Sequence, residues 1–182
     1  AGTAKGGRDV ELPPWSKGRY GTAVGRAVHA VLQEVDLATG AGLEGAVAAQ
    51  SVAEGVVDYA SVVAQLARSA LASDVVRRAA ARQHWRESYV GTVQPDGSVL
   101  EGFIDLMYRE DDGSLVVVDY KTDAVPAGAL PSRIAYYAPQ LRTYVDSVRR
   151  AGAQVSGAVL LFLNPAGASA HEVPDRPVVG TP

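Results

Sequence analysis

The chain of 182 residues contains no cysteine. Disulfides, thiolate zinc sites, iron–sulfur clusters and cysteine nucleophiles are therefore all excluded. The absence fits a cytoplasmic protein, because structural disulfides are rare in a reducing compartment. A basic excess is missing too. Lys and Arg number 17 against 20 Asp and Glu, for a formal charge of -3. Free-standing, non-specific nucleic-acid binders usually carry the opposite balance, since phosphate neutralisation dominates their affinity. No apolar run approaches the ~20 residues that cross a bilayer, so no membrane partner is expected. A start methionine and a charged-then-apolar leader are both absent. Ala1 in the first position suggests a trimmed chain or a piece cut from a longer one. There is no Walker A pattern, so any ATP-driven motor lies outside these residues. There is also no internal repeat.

What is present suits one domain with a sizeable core: 47% of residues are hydrophobic and 20% charged. Residues 1–18 mix Gly, Lys, Pro and acids without periodicity and read as a flexible tail or linker. Val24, Val28, Val31, Leu32 and Val35 predict a helix over 19–36, which Gly40-Ala41-Gly42 ends. Residues 43–72 predict one or two packed helices, with Gly55 as an interruption. Ser73 or Asp74 caps a short helix running to Arg82. The texture then changes. Strands are predicted over 84–93, 99–108 and 115–120, separated by Pro95-Asp96-Gly97-Ser98 and Glu110-Asp111-Asp112-Gly113. Such short connections make the meander antiparallel. A helix over 133–150, a buried strand over 155–163 and an irregular tail over 164–182 complete the chain.

Chemistry concentrates at two strand ends. Asp105 follows Gly102-Phe103-Ile104, and Asp119 follows Val116-Val117-Val118. Two carboxylates at the ends of paired strands can share a hard divalent cation. Lys121 has the side-chain parity of Asp119, so the two share a face. An ammonium beside such a cation can orient a water or stabilise developing negative charge, as a metal-dependent phosphodiesterase requires. The plainer reading is a surface salt-bridge cluster. His29 lies on the first helix, where a lone histidine is more often a hydrogen-bonded core residue than a ligand. Gly25, four residues earlier, opens that face to close approach. Gln140 and Tyr144 share one face of the helix over 133–150 and can bind phosphate oxygens, or sit at surface and core positions. Two basic clusters, Arg77/Arg78/Arg82/Arg86 and Arg142/Arg149/Arg150, read either as charge segregated locally for nucleic acid or, equally, as solvated faces or surface ion pairs.

Over residues 20–163 the chain resembles the RecB-like branch of the PD-(D/E)XK nuclease superfamily. That branch is found at the C-terminus of UvrD/RecB-type helicase–nucleases of the AddAB and AdnAB kind, and in related CRISPR-associated nucleases. Gly25-Arg26-Ala27-Val28-His29 is similar to its G-x-x-x-H motif, Gly102-Phe103-Ile104-Asp105 to G-x-x-D, Asp119-Tyr120-Lys121-Thr122 to D-Y-K-T, and Gln140-Leu141-Arg142-Thr143-Tyr144 to Q-x-x-x-Y. Arg86-Glu87 resembles an R-E pair opening the first strand, whose acid is usually supportive. The resemblance implies an α/β fold, the restriction-endonuclease-like α-β-β-β-α-β core with extra N-terminal helices, in a nuclease domain spanning 19–163. It implies Mg²⁺ or Mn²⁺ held by His29, Asp105, Asp119 and the carbonyl of Tyr120, with Lys121, Gln140 and Tyr144 completing the catalytic group. It implies hydrolysis of DNA, single-stranded for preference, beside a helicase motor in the same chain or complex, in repair of double-strand breaks. Some members of the branch carry an iron–sulfur cluster, and the lack of cysteine places this chain with the cluster-free ones. The acidic net charge assigns much of the DNA grip to the motor. The rival expectation is an inactive nuclease-fold module that binds DNA or protein. Such copies normally lose the acid or the lysine, and both are present here.

Overall fold

The computed structural model of this chain describes residues 22–93 and 97–175. The expected tail over 1–18, part of the Pro95–Ser98 turn and the last residues of the chain fall outside them. Helix α1 covers Ala23–Glu34, α2 Leu43–Ala53, α3 Ala60–Ala72 and α4 Asp74–Ala80. Thr22 caps α1, its hydroxyl accepting the Gly25 N–H at 3.0 Å, and Ser73 caps α4 through the Val76 N–H. The apolar spacing read in the sequence buries Val28, Val31 and Leu32 on one face of α1. Gly40, Gly42 and Gly55 end or separate these helices, with φ between +68° and +88°, a region where an L side chain would be strained.

Strands β1 (His84–Val93), β2 (Val99–Arg109) and β3 (Leu115–Lys121) form the expected antiparallel meander. Helix α5, Leu130–Arg150, carries the chain over to β4, Val155–Phe162, which pairs parallel with β3. The helix starts three residues earlier than the periodicity predicts. Pro131 sits in its first turn, where a missing N–H has no carbonyl to lose. Inside the stretch expected to be irregular, Ser169–Glu172 forms β5, antiparallel to the free edge of β4. Ser-Ala-His-Glu has no strand signal of its own. Pairing with an open edge supplies it. The sheet order is β1-β2-β3-β4-β5.

Two cores flank the sheet. On one face, α1 to α4 pack on Leu106, Tyr108, Val116, Val118, Tyr120, Val159 and Leu161. On the other, α5 packs on Ile104, Leu115, Val117, Ala158, Leu160 and Phe162. β3 is covered on both faces, which is why its apolar run is continuous rather than alternating.

β1 and β2 do something the two-residue period does not predict. Arg86 and Leu106 face the α1 layer, Arg86 donating to the carbonyls of Leu32 and Val35 at 3.2 and 2.7 Å. Val90 and Ile104 face α5 instead, and the Thr92 hydroxyl meets that of Ser147 on α5. All of these positions are even-numbered, and the register is the same before and after. Both strands therefore swap faces in step, at Glu87 and Asp105. Glu87 carries the turn with φ +47°.

Candidate active site

The swap places Asp105 where the sheet forks. Ladder pairing between β2 and β3 runs from Arg109↔Leu115 to Leu106↔Val118 and stops there. Beyond that pair, the Asp105 carboxylate replaces the backbone ladder: its Oδ2 accepts the Tyr120 N–H at 2.7 Å. Its Oδ1 lies 2.9 Å from His29 Nδ1 on α1. The fork thus lets a helix of one layer reach the strand ends directly. The His29 ring stands edge-on to Tyr120, centroids 5.9 Å apart.

Asp119 and Lys121 lie on the α5 side of β3, as their shared parity predicts. Lys121 Nζ is 2.5 Å from Asp119 Oδ2 and 4.2 Å from the centre of the Tyr137 ring. The Tyr137 hydroxyl in turn donates to Asp123. On α5, Gln140 Nε2 donates to the Tyr144 hydroxyl at 2.8 Å. Tyr144 is buried and lies against β2 at Gly102, where an added Cβ would sit 2.5 Å from the Tyr144 oxygen. A Cβ on Gly25 would come within 2.7 Å of the Thr122 hydroxyl. Each motif glycine is thus the seat for a side chain of another motif. The close approach expected at Gly25 is made by Thr122, and Tyr144 makes a like approach at Gly102.

The electrostatics single out the same groups. Asp105 and Asp119 are both buried, at 9% and 6% exposure, though aspartate normally stays in water. Burial pushes the Asp119 carboxyl up, Lys121 pulls against that, and the charge of Asp105 adds to the rise. Asp105 goes the other way. Burial opposes its ionisation, but His29, Lys121 and the Tyr120 N–H together hold it below the ordinary carboxylate range. Burial disfavours the His29 imidazolium, yet the charge and hydrogen bond of Asp105 carry its pKa above the usual histidine value. Two buried acids pushed apart in pKa make this a candidate functional centre.

A profile of the PD-(D/E)XK nuclease superfamily matches residues 7–179. The chain belongs to this superfamily. Its five-stranded sheet between helical layers is the fold the resemblance implied. The A subunit of the ATP-dependent helicase/nuclease of Desulforudis audaxviator is 32% identical over 152 residues, covering 73% of this chain and 12% of that protein. Its counterpart of the same name in Carboxydothermus hydrogenoformans is 39% identical over 67 residues, covering 36% of this chain and 6% of that protein. The chain therefore spans a small part of the length of these relatives. A crystal structure of SSO0001 superposes with a TM-score of 0.39 at 18% identity, over 64% of this chain and 60% of that one.

The donors suit a hard divalent ion, being carboxylate oxygens and an imidazole nitrogen with no sulfur. Ligand atoms of His29, Glu87 and Asp105 all lie within 4.8 Å of one another. Glu87, expected as a supportive acid, stands in this group. Its place in the Arg86-Glu87 pair was the available signal, but strand parity gives no hint that its backbone turns inward. Arg86, counted in a basic cluster, is spent on the end of α1. Other members of the clusters are likewise engaged within the chain. Arg78 and Arg82 pair with Glu110 and Asp111, and Arg149 with Asp175. Arg142 donates to the Pro174 carbonyl.

Proposed function

We propose that this chain is a divalent-cation-dependent nuclease domain that hydrolyses DNA phosphodiester bonds. The observation that supports the reading is the His29–Asp105 contact at the fork, with the buried Asp119–Lys121 pair on the α5 side of the adjoining strand β3. His29, Asp105, Asp119 and the Tyr120 carbonyl would hold Mg²⁺ or Mn²⁺. In an extended strand the N–H and C=O of one residue project to the same edge, so the Tyr120 carbonyl opens toward Asp105 as its N–H does. When bound, the cation supplies charge neutralisation at a phosphoryl oxygen and a more acidic water.

The chain's own groups do the rest. Tyr120 N–H and His29 fix the orientation of the Asp105 carboxylate. Asp119 and the Tyr137 ring hold the Lys121 ammonium in place, where it orients the attacking water and stabilises the charge that develops on the phosphoryl oxygens. Gln140 and Tyr144 offer donors to the strand beside the scissile phosphate. The names of the relatives support a place beside a helicase motor, which would deliver single-stranded DNA and supply the basic surface this chain lacks. Repair of double-strand breaks in the cytoplasm is the setting this reading favours. No described helix is long and apolar enough to cross a membrane.

The test is incubation of labelled single- and double-stranded DNA with the protein and Mg²⁺ or Mn²⁺, with EDTA as the control. Cleavage that needs the cation and disappears in Asp119→Ala is the expected outcome. Intact DNA under every cation condition would favour the inactive binding module instead.

A further inference from the structure

Among the described residues, Glu87 is the single non-glycine residue with positive φ. Glutamate has no side-chain reason to prefer that region. The position lies opposite Asp105: the pairs on either side, Arg86↔Leu106 and Ser88↔Ile104, form on one constant register. The turn at Glu87 brings its carboxylate to the fork, where one of its oxygens, a ring nitrogen of His29 and an oxygen of Asp105 are mutually within 4.8 Å. Two donors each about 2.0–2.6 Å from a shared ion are at most about 4–5 Å apart, so these three lie close enough for small side-chain adjustments to bring them onto one cation.

We propose that Glu87 is a further ligand of the divalent cation, joining His29 and Asp105. The assignment rests on the reading above that a cation binds at this fork. It gives the face swap of β1 and β2 a purpose. With ordinary alternation past Arg86, the side chain after it would follow the α5 side of the sheet and leave His29 behind.

Calorimetry with Mn²⁺ alone, on the chain and three variants, tests the assignment. Glu87→Gln keeps the size and removes the charge. It is expected to weaken Mn²⁺ binding by more than the roughly 10–100-fold lost with a supporting hydrogen bond. The metal-free unfolding temperature should stay near that of the parent. Water-proton relaxation of the bound Mn²⁺ is expected to show about one more coordinated water than in the parent. Glu87→Gly accepts the positive φ without strain, and is expected to lose affinity to the same extent in a protein that still folds. Asp105→Asn reports on the cation site itself. If Asp105→Asn loses Mn²⁺ while Glu87→Gln keeps parental affinity and hydration, the Glu87 assignment is overturned alone. If Asp105→Asn also binds Mn²⁺ like the parent, the cation site as a whole is overturned.

Discussion

Asp105 uses both oxygens within the fold, one toward His29 and one toward the Tyr120 N–H. A carboxylate so fixed is pre-organised, which is what a ligand needs and what a solvated surface acid lacks. Lys121 is held from two sides, by Asp119 and by the Tyr137 ring. Lys121→Ala removes an electrostatic stabiliser and is expected to slow cleavage by at least ~100-fold in a protein whose circular dichroism is unchanged. A variant cutting within a few-fold of the parent rate would remove Lys121 from the mechanism. The glycines give a second residue-level prediction. Gly102→Ala would put a methyl group where the Tyr144 ring now lies, with ring carbons 2.6 and 2.8 Å away. Such overpacking is expected to cost about 1–3 kcal/mol, seen as a lower denaturation midpoint in urea. It should also depress cleavage, because Tyr144 must move off β2. An unchanged midpoint would mean that the ring is free to move aside.

At the scale of elements, the anchoring of α1 decides where His29 points. The helix ends at Val35, and the carbonyls of Leu32 and Val35 are taken by the half-buried Arg86 from β1. Without that side chain, carbonyls at the helix end lose their partner inside the protein. Arg86→Ala is therefore expected to destabilise by about 1–3 kcal/mol, measured by urea unfolding. Arg78 is the contrast. It pairs with Glu110 on the surface and is more than half exposed, so Arg78→Ala should shift the midpoint less than Arg86→Ala does. If the order were reversed, the tie between α1 and β1 would not be a main support of the site.

At the scale of the whole molecule, the proposed site draws on both cores, so cation binding there would be linked to global stability. His29 comes from the layer of α1 to α4, and Gln140 and Tyr144 from α5 on the opposite face. A cation bound at the fork stabilises the native state by mass action. Mn²⁺ at about 100 times its Kd is expected to raise the unfolding free energy by about 2.7 kcal/mol, and EDTA to reverse the gain. An unfolding temperature that ignores Mn²⁺ would argue against a resident cation. Leu161, fully buried in the core beneath the N-terminal helices, is the control for packing. Leu161→Ala should cost about 2–5 kcal/mol with and without the ion.

By itself the sequence determined the helices, the first four strands and their order, and it nominated the candidate residues of the site. Helical spacing, turn residues and the β-branched runs are local properties, and each acts through neighbours a few residues away. The spacing of glycine, acid and lysine within each motif is local in the same sense. Three things were decided only by tertiary structure. β5 exists because β4 offers an unpaired edge, which no property of Ser169–Glu172 announces. The Arg-rich stretches became ion pairs and carbonyl contacts because Glu110, Asp111, Asp175 and the end of α1 fold against them. The turn at Glu87, together with the fork between β2 and β3, arises because the two strands must face different layers along their length. Strand parity, which knows only one chain segment at a time, cannot contain that requirement.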